Sequence, residues 1–315
     1  MLSIINFKTG DHRRRDALSP FVIVLPLIIA IFLAVVTTGF LTGDNLANLV
    51  PQATPLLILS LGLMFPVLTG GIDISNGALV SVVAAIMVSS SSQALGIGAG
   101  LCVALLTGLI NGIGVTVFRV HPIVMTLGMM IIFTGAAPLI LPDAAGQVQT
   151  FLAPLVRSTI FGFPVAIFWA GAAIFLAWGV IARSSFGLRV YAVGANDEAV
   201  WLSGINSRKL VIACYVISSL SAMIAAMFIF GRVGSSTANI GDPLILNSIT
   251  AVAIGGVLLS GGVGSVAGVV CGVAALTFIN NGMNHLSVDP FLQRVITGII
   301  LLGAIAFQKR EDIGV

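Results

Sequence analysis

The feature that most constrains this chain is the recurrence of apolar stretches long enough to cross a lipid bilayer. A transmembrane helix needs about 20 mainly apolar residues, and ten such stretches follow one another with short polar segments between them. Several contain Gly or Pro, which is typical of broken helices around a transport path. The predicted spans are 19–40, 46–69, 77–92, 95–118, 122–141, 164–183, 210–231, 244–260, 264–284 and 291–308.

The composition leaves little room for a separate soluble domain. Of the 315 residues, 58% are hydrophobic and 8% are charged, with a mean hydropathy of +1.14, whereas soluble domains carry about 25% charged residues. We therefore predict an all-α integral membrane protein with one membrane domain over residues 19–308. The net charge of +3 comes from residues in loops, so nucleic-acid binding is not expected.

Neither a disulfide nor a metal site is expected. Cys102, Cys214 and Cys271 lie inside apolar stretches without CxxC spacing, which is typical of packed, unreactive thiols. His121 and His285 lie beside loops with no carboxylate or Cys at ligand spacing. The first apolar stretch is too long for a cleavable signal and has no cleavage site.

The distribution of Lys and Arg predicts the orientation in the membrane. With ten spans and a cytoplasmic N-terminus, three basic residues fall outside: Arg157, Arg232 and Arg294. The eleven that fall inside are Lys8, Arg13, Arg14, Arg15, Arg119, Arg183, Arg189, Arg208, Lys209, Lys309 and Arg310. Because cytoplasmic loops carry the excess of basic residues, both tails, 1–18 and 309–315, are predicted to be cytoplasmic.

The same topology places the polar segment 184–209 in the cytoplasm, where it contains signals for a very short helix. Asn196 is a good N-cap, Glu198 adds negative charge to the first turn, and Gly204 is a plausible terminator. Glu198, Trp201, Leu202 and Ile205 are spaced to share one face. Trp201 either fits a groove of another protein or packs at the headgroup level or on its own loop.

An internal similarity suggests two inverted halves. Residues 108–122 and 276–290 each place Asn and Gly near a helix end, followed by a loop and a Pro that opens the next span. On the predicted topology the two copies cross the membrane in opposite directions. This favours an inverted repeat of five plus five spans; chance likeness between Gly-rich helices is the alternative.

Few residues of this chain could couple transport to ATP hydrolysis or to an ion gradient. There is no GxxxxGK[ST] phosphate loop, and the only lysines are Lys8, Lys209 and Lys309, so the chain does not hydrolyse ATP itself. Carriers coupled to protons or sodium usually place ionisable residues at membrane depth. Asp73 alone has a claim to that position, which gives little support to an ion-coupled carrier.

Asp73 lies in the unusual segment TGGIDISNG at 69–77. Its paired glycines permit a sharp break in the backbone. Asp73, Ser75 and Asn76 then either cap the following helix or line a path for a polar, uncharged solute; the two roles are compatible.

A second Gly-rich segment lies at 246–268. Tight helix packing or subunit contact is one interpretation, and solute contact by Asn247, Ser248 and Thr250 is the other. Asn111 and the pair Asn280–Asn281 are polar groups near span ends that could bond backbone carbonyls or face the path.

Four motifs together resemble the ribose-type permease subunits of bacterial ABC sugar importers. They occur in the family's order, and the resemblance extends over about residues 44–307. It is specific to the family but not to one substrate. The motifs are GGIDISNGALVSV at 70–82, NGIGVTVFRVHPIVMTLGMM at 111–130, FGLRVYAVGANDEAVWLSGI at 186–205 and SITAVAIGGVLLSGGVGSVAG at 248–268.

The resemblance implies a multi-pass protein of the bacterial inner membrane that forms a homo- or heterodimer with a second permease. A separate cytoplasmic ATPase would bind ATP and Mg²⁺, this chain would bind no cofactor, and a periplasmic sugar-binding protein would deliver the solute. The run Glu198-Ala199-Val200, with Gly204 four positions later, is similar to the EAA-xxx-G coupling pattern, which favours docking by Trp201. The implied coupling residues are Asn196, Glu198, Ala199, Trp201, Leu202, Gly204 and Ile205. The candidate path residues are Asp73, Ser75, Asn76, Asn111, Asn247, Ser248 and Thr250.

One departure from the family bears either on the identity of the substrate or on whether the partner permease is identical. Family members commonly carry an acidic Glu-Leu-Asp-like run just before the fourth motif, where this chain has Leu244-Ile245-Leu246-Asn247. The predicted cargo is a small neutral solute, and a monosaccharide fits the resemblance best. The rival hypotheses are an ion-coupled secondary transporter that acts alone and a non-transporting membrane enzyme or scaffold, for which no nucleophile–base pair or HExxH is present.

Overall fold

The computed structural model describes residues 20–146 and 151–306, and helices dominate this part of the chain. The tails predicted at 1–18 and 309–315 lie outside the described residues. Four two-residue strands form two antiparallel pairs: β1 (Ala145–Gly146) with β4 (Ser235–Ser236), and β2 (Thr159–Ile160) with β3 (Phe163–Pro164). The helices are α1 (Pro20–Val36), α2 (Gly43–Leu68), α3 (Ser75–Ser89), α4 (Gln93–Thr116), α5 (Pro122–Ile140), α6 (Leu152–Arg157), α7 (Ala166–Arg183), α8 (Ser185–Ala195), α9 (Asp197–Leu202), α10 (Ser207–Val233), α11 (Asp242–Ile254), α12 (Val266–His285) and α13 (Pro290–Ala306).

Each of the ten predicted stretches overlaps one of these helices, so the prediction of an all-α membrane protein is confirmed. Within the described residues, six helices are long and apolar enough to cross a membrane: α2, α4, α5, α7, α10 and α12. The helices α1, α3, α11 and α13 are also apolar but shorter. The stretch predicted to end at 260 stops at Ile254 instead, because Gly256 adopts a φ of +75° that an α-helix cannot continue.

Helices α2 and α10 are the centre of the bundle. They share two groups of buried apolar side chains: one is completed by α7, α8, α11 and α12, and the other by α3, α4 and α5. Between α2 and α10, a Cβ atom added to Gly62 would collide with the side chain of Ser221. Small residues at such contacts let membrane helices approach closely.

The predicted surface segment 142–163 is described except for residues 147–150. It contains the short helix α6, whose Leu152 and Val156 are buried. The indole nitrogen of Trp169 donates a hydrogen bond to the carbonyl oxygen of Leu155 at 2.9 Å, and the guanidinium of Arg157 donates one to that of Gly231 at 3.0 Å. These bonds hold the segment against α7 and α10.

Candidate functional site

Helix α9 forms at the position that the sequence predicts, with the expected caps. The side chain of Asn196 accepts a hydrogen bond from the backbone N–H of Ala199 at 2.9 Å. At the other end Gly204 has a φ of +77°, and the N–H groups of Gly204 and Ile205 donate to the carbonyls of Trp201 and Val200 at 2.9 and 3.3 Å. This pair of backbone hydrogen bonds is the Schellman motif, so the short helix has defined geometry at both ends.

One face of α9 is attached to the bundle and the other is free. Val200 is buried in the core group that α2 and α10 share, whereas Trp201 and Leu202 are 68% and 73% exposed. Glu198 is also exposed. The prediction that Ile205 shares the face of Trp201 is wrong: α9 ends before it, and the side chain of Ile205 packs against the core.

Helix α8 was not predicted, because its polar ends suggested a loop. The side chain of Ser184 accepts a hydrogen bond from the N–H of Gly187 at 3.2 Å and caps the helix. Val190, Tyr191 and Val193 are buried, and the Tyr191 hydroxyl donates to the carbonyl of Gly264 at 2.7 Å. Since only Asn196 separates α8 from α9, α9 is attached to a helix that belongs to the core.

The break predicted after α2 is present and is also a Schellman motif. Gly70 has a φ of +82°, and the N–H groups of Gly70 and Gly71 donate to the carbonyls of Val67 and Pro66, both at 2.9 Å. The next helix, α3, begins at Ser75. The side chain of Asp73 accepts a hydrogen bond from the Ser75 N–H at 3.1 Å, which agrees with the capping interpretation.

Three chain segments meet at this break through their glycines, and we call the contact the glycine junction: Leu68–Gly71, Gly194 and 261–264. The N–H of Gly262 donates to the carbonyl of Leu68 at 2.9 Å. A Cβ atom added to Gly194, on α8, would collide with that same carbonyl and with the nitrogen of Gly262. The backbone of α8 therefore rests directly on the end of α2.

A buried polar cluster lies behind the junction and joins α3, α4 and α10. Asp73, which is 1% exposed, accepts hydrogen bonds from the hydroxyls of Ser75 at 2.6 Å and Ser218 at 2.8 Å. The amide nitrogen of Asn111 donates to the Ser75 hydroxyl at 3.0 Å. Because an unpaired polar group in an apolar interior costs free energy, this cluster favours the native arrangement of these helices.

Some polar atoms near the cluster have no hydrogen-bond partner in the described part of the chain. They are both side-chain polar atoms of Asn76, the side-chain oxygen of Asn111 and the hydroxyl of Tyr215. Buried groups of this kind usually bond to water or to a ligand. The interpretation that this segment lines a polar path therefore has support alongside the capping interpretation.

A cavity of about 670 Å³, which we call the α9 cavity, opens at the same end of the bundle. The break after α2, the end of α4, the start of α5, α9 and the start of α10 all contribute to its wall. Charged side chains from four positions line it: Arg119, Asp197, Glu198 and Arg208. Tyr215 also lines it, so the cavity lies between α9 and the region of the polar cluster.

The structure does not bring all the candidate path residues together. Asp73, Ser75 and Asn111 are hydrogen-bonded to one another. Ser248 and Thr250 are buried and donate to carbonyls of their own helix at 3.1 and 2.7 Å, which agrees with helix packing. Asn247 lines a different cavity, together with residues of α12 and α13.

Sequence reasoning missed Ser218 and Tyr215. Both lie within α10, a long and almost continuously apolar helix in which neither residue has a distinctive local pattern. Their importance comes from the packing of α10 against the break after α2. A Cβ atom added to Gly71 would collide with the Tyr215 hydroxyl, and no spacing in the sequence reports that contact.

A bundle of apolar helices with a glycine break after its central helix and with polar cavities is typical of a multi-pass membrane transport protein. Over residues 45–305 the chain belongs to the family described as branched-chain amino acid transport system / permease component. The chain is thus a multi-pass permease of a bacterial inner membrane, as the sequence predicts. No solved structure matches it.

Curated relatives cover almost the whole chain. The galactose/methyl galactoside import permease protein MglC of Escherichia coli K12 is 33% identical over 313 residues, which cover 91% of this chain and 92% of the relative. The ribose import permease protein RbsC is 31% identical in Bacillus subtilis 168, covering 90% of this chain and 91% of the relative. RbsC of Escherichia coli K12 is 30% identical, covering 91% and 93%. The resemblance to ribose-type permeases is confirmed.

Proposed function

We propose that this chain is the permease subunit of an ATP-driven, binding-protein-dependent importer for a small neutral solute, and that the solute is a monosaccharide. The similar relatives are named for the import of galactose, methyl galactoside and ribose, which supports the substrate class. A separate cytoplasmic ATPase would bind ATP and Mg²⁺ because this chain has no phosphate loop. A periplasmic binding protein would deliver the sugar.

The observation that carries this proposal is the exposed face of α9. A Trp and a Leu that are about 70% exposed project from a short helix whose other face is fixed to the core. Exposed aromatic side chains on a rigid support are typical contact points between proteins. Among the implied coupling residues, Asn196 and Gly204 fix the two ends of α9, and Glu198 and Ala199 are exposed beside Trp201 and Leu202. Ile205 packs against the core and supports this face from behind.

The proposed topology has ten spans, both termini in the cytoplasm and two inverted halves. The four short apolar helices can cross a bilayer only with help from flanking turns or local thinning. Pro122 opens α5 and Pro290 opens α13 after short connections, which supports the similarity between 108–122 and 276–290. Five basic residues lie at or near the α9 end of the bundle, and three lie towards the opposite end.

In the proposed mechanism, closure of the ATPase pair moves α9, and α8 passes the movement to the glycine junction and the broken end of α2. The path then opens alternately to the two sides of a dimer of permeases. Asp73, Ser75, Asn76 and Asn111 would belong to this path or to its support. The partner permease is either a second copy or a related chain, and the Leu244–Asn247 departure leaves room for a related chain that supplies the missing acidic groups.

The coupling role is tested with Trp201→Ala/Leu202→Ala in the complex purified with its ATPase. We expect the ATPase to be lost from the complex, and sugar uptake into proteoliposomes to fall at least tenfold. The matched control is Phe161→Ala, an exposed aromatic in the β2–β3 turn. Normal ATPase association and normal uptake in the double variant would refute the docking role of α9.

The ion-coupled alternative has one observation in its favour, the buried carboxylate of Asp73. Ionisable residues within membrane domains often mark ion pathways. Liposomes that contain this chain alone and carry a sodium or proton gradient should accumulate no labelled sugar. Accumulation that depends on the gradient would replace the proposed function with the alternative.

A further inference from the structure

A second cavity, of about 310 Å³, lies at the far end of the bundle from α9, and we call it the Arg294 cavity. It is formed where α11 begins, α12 approaches its end and α13 begins. On the proposed topology this end faces the outside, where the solute arrives. Its volume is at the lower end of the range of about 300–1,000 Å³ that is usual for small-molecule sites.

The cavity lining combines hydrogen-bond donors and acceptors. It includes the carboxylate of Asp242, the amides of Asn247, Asn280 and Gln293, and the guanidinium of Arg294. A carboxylate only accepts, a guanidinium only donates and an amide does both. A hydroxyl also does both, so several neighbouring hydroxyls on one solute would find complementary groups here.

Two amide side chains of this cavity make no hydrogen bonds within the described part of the chain. Asn247 and Asn280 are half-buried, yet neither amide makes a side-chain hydrogen bond to any described residue. The amide nitrogen of Gln293, by contrast, donates to the side chain of Asn284 and the carbonyl of Val288, both at 2.9 Å. Half-buried amides without partners are unfavourable unless water or a ligand satisfies them.

The surroundings of the cavity make this polarity unusual. The neighbouring surface of α13 is apolar: Phe291 is 75% exposed and Val295 56%. In membrane proteins, polar groups at such positions face a water-filled cavity or a protein contact, not lipid. Two amides, a carboxylate and a guanidinium in one recess of this surface therefore indicate an aqueous solute path.

The charges in the cavity balance each other and give no preference for an anionic or a cationic solute. Asp242 interacts electrostatically with Arg294, and no ion pair within 4 Å joins these two described side chains. One negative and one positive charge give a neutral lining. A carboxylate and a guanidinium together give no net attraction for an anion or a cation, so the hydrogen-bonding groups of the lining are available to a neutral solute.

From these observations we infer that the Arg294 cavity is the outer solute-binding site of the permease, and that it takes a neutral polyhydroxylated molecule of monosaccharide size. The inference rests on the proposed import function and assigns that function a location. Asn247 and Asn280 supply the hydrogen bonds that fix the solute, and Asp242 and Arg294 together leave the lining without net charge. Asn247 contacts solute here, while Ser248 and Thr250 serve packing.

The test uses the complete importer in proteoliposomes, with labelled D-ribose, D-galactose and ribitol as probes. We expect Asn247→Leu/Asn280→Leu to lower uptake of the transported probe at least tenfold while the complex still contains its ATPase. Asn48→Leu is the matched control, because Asn48 is an exposed amide at the same end of the bundle, and its uptake should stay within twofold of wild type. Wild-type uptake in the double variant would overturn the inference.

A second measurement does not depend on how well the double variant folds. In the importer with Asn280→Cys, a membrane-impermeant thiol reagent added outside should block uptake, and excess transported sugar should slow the labelling. Asn48→Cys should be labelled without loss of uptake. Absence of labelling at position 280, or labelling without inhibition, would overturn the inference. Failure of the wild-type importer to transport any of the three probes would instead count against the proposed function.

Discussion

The two cavities at opposite ends of the bundle differ in what they present. The α9 cavity, of about 670 Å³, is lined by four charged side chains and by the glycines of the broken helix α2. The Arg294 cavity, of about 310 Å³, is lined by three amides, a hydroxyl and one pair of opposite charges. The first suits contact with a protein and movement of the backbone, and the second suits a small neutral solute.

If the proposed roles are correct, coupling and solute recognition are separated along the bundle axis. A substitution at one end should therefore affect one property first. Four sets of variants can test this division, and they are given in order of decreasing expected effect.

Gly194→Ala should have the largest effect, because the added methyl group would meet the Leu68 carbonyl directly. Overpacking of this kind costs about 1–3 kcal/mol, and both thermal stability in detergent and sugar uptake should fall. Gly171→Ala is the control, since a Cβ atom there has open space. If Gly194→Ala kept wild-type melting and uptake, the glycine junction would not be a tight contact.

Ser218→Ala should come next, because it removes one of the hydroxyls that bind Asp73. Leaving a buried carboxylate oxygen without its donor costs about 1–3 kcal/mol. Ser219→Ala is a close control, since the Ser219 hydroxyl donates to a carbonyl of its own helix. Thermal unfolding in detergent measures both variants, and equal melting temperatures would show that the Asp73 cluster does not stabilise the bundle.

Gly204→Ala should change coupling more than stability. Position 204 has a φ of +77° and open space around it, so only backbone strain of about 1 kcal/mol is expected. Asn tolerates this conformation better than Ala, and Gly204→Asn should therefore retain more ATPase binding. Both variants should melt within about 4 °C of wild type, because a strain of this size shifts the melting temperature only slightly. The same loss of ATPase binding in both would show that strain at the end of α9 is not the cause.

The smallest effects are expected from two arginines that compare the ends directly. Arg208→Gln, in the α9 cavity, should weaken ATPase association by a few-fold and leave solute selectivity unchanged. Arg294→Gln leaves the charge of Asp242 unbalanced in the Arg294 cavity, so it should lower uptake of the neutral sugar by a few-fold, favour cationic over anionic sugar derivatives and leave ATPase association unchanged. Identical phenotypes for the two variants would contradict the division between the ends.

Local signals explain what could be predicted from the sequence. The apolar stretches, the caps of α9 and the glycine break after α2 depend on short-range chemistry, and the structure shows all of them. Pro and Gly at helix ends allowed the positions of these ends to be predicted. The coupling and path roles themselves stay predictions until the variants are measured.

Contacts between distant segments explain what could not be predicted. Helix α8 resembles a loop in the sequence because its ends are polar, and the burial of Val190 and Tyr191 depends on distant helices that include α2 and α10. Ser218 approaches Asp73 across 145 positions of sequence. Ile205 seemed to share a face with Trp201 only because the helix was assumed to continue. Each of these features is determined by tertiary packing.

The hydrogen bond between Gly262 and Leu68 has one more consequence. Backbone touches backbone at the glycine junction, so there is no side chain whose rotation could absorb a small shift of α8. A displacement of a few tenths of an ångström must therefore be shared at once by the segment 255–265 and by the end of α2. Two parts of the chain that are distant in sequence would therefore move together when α8 is displaced.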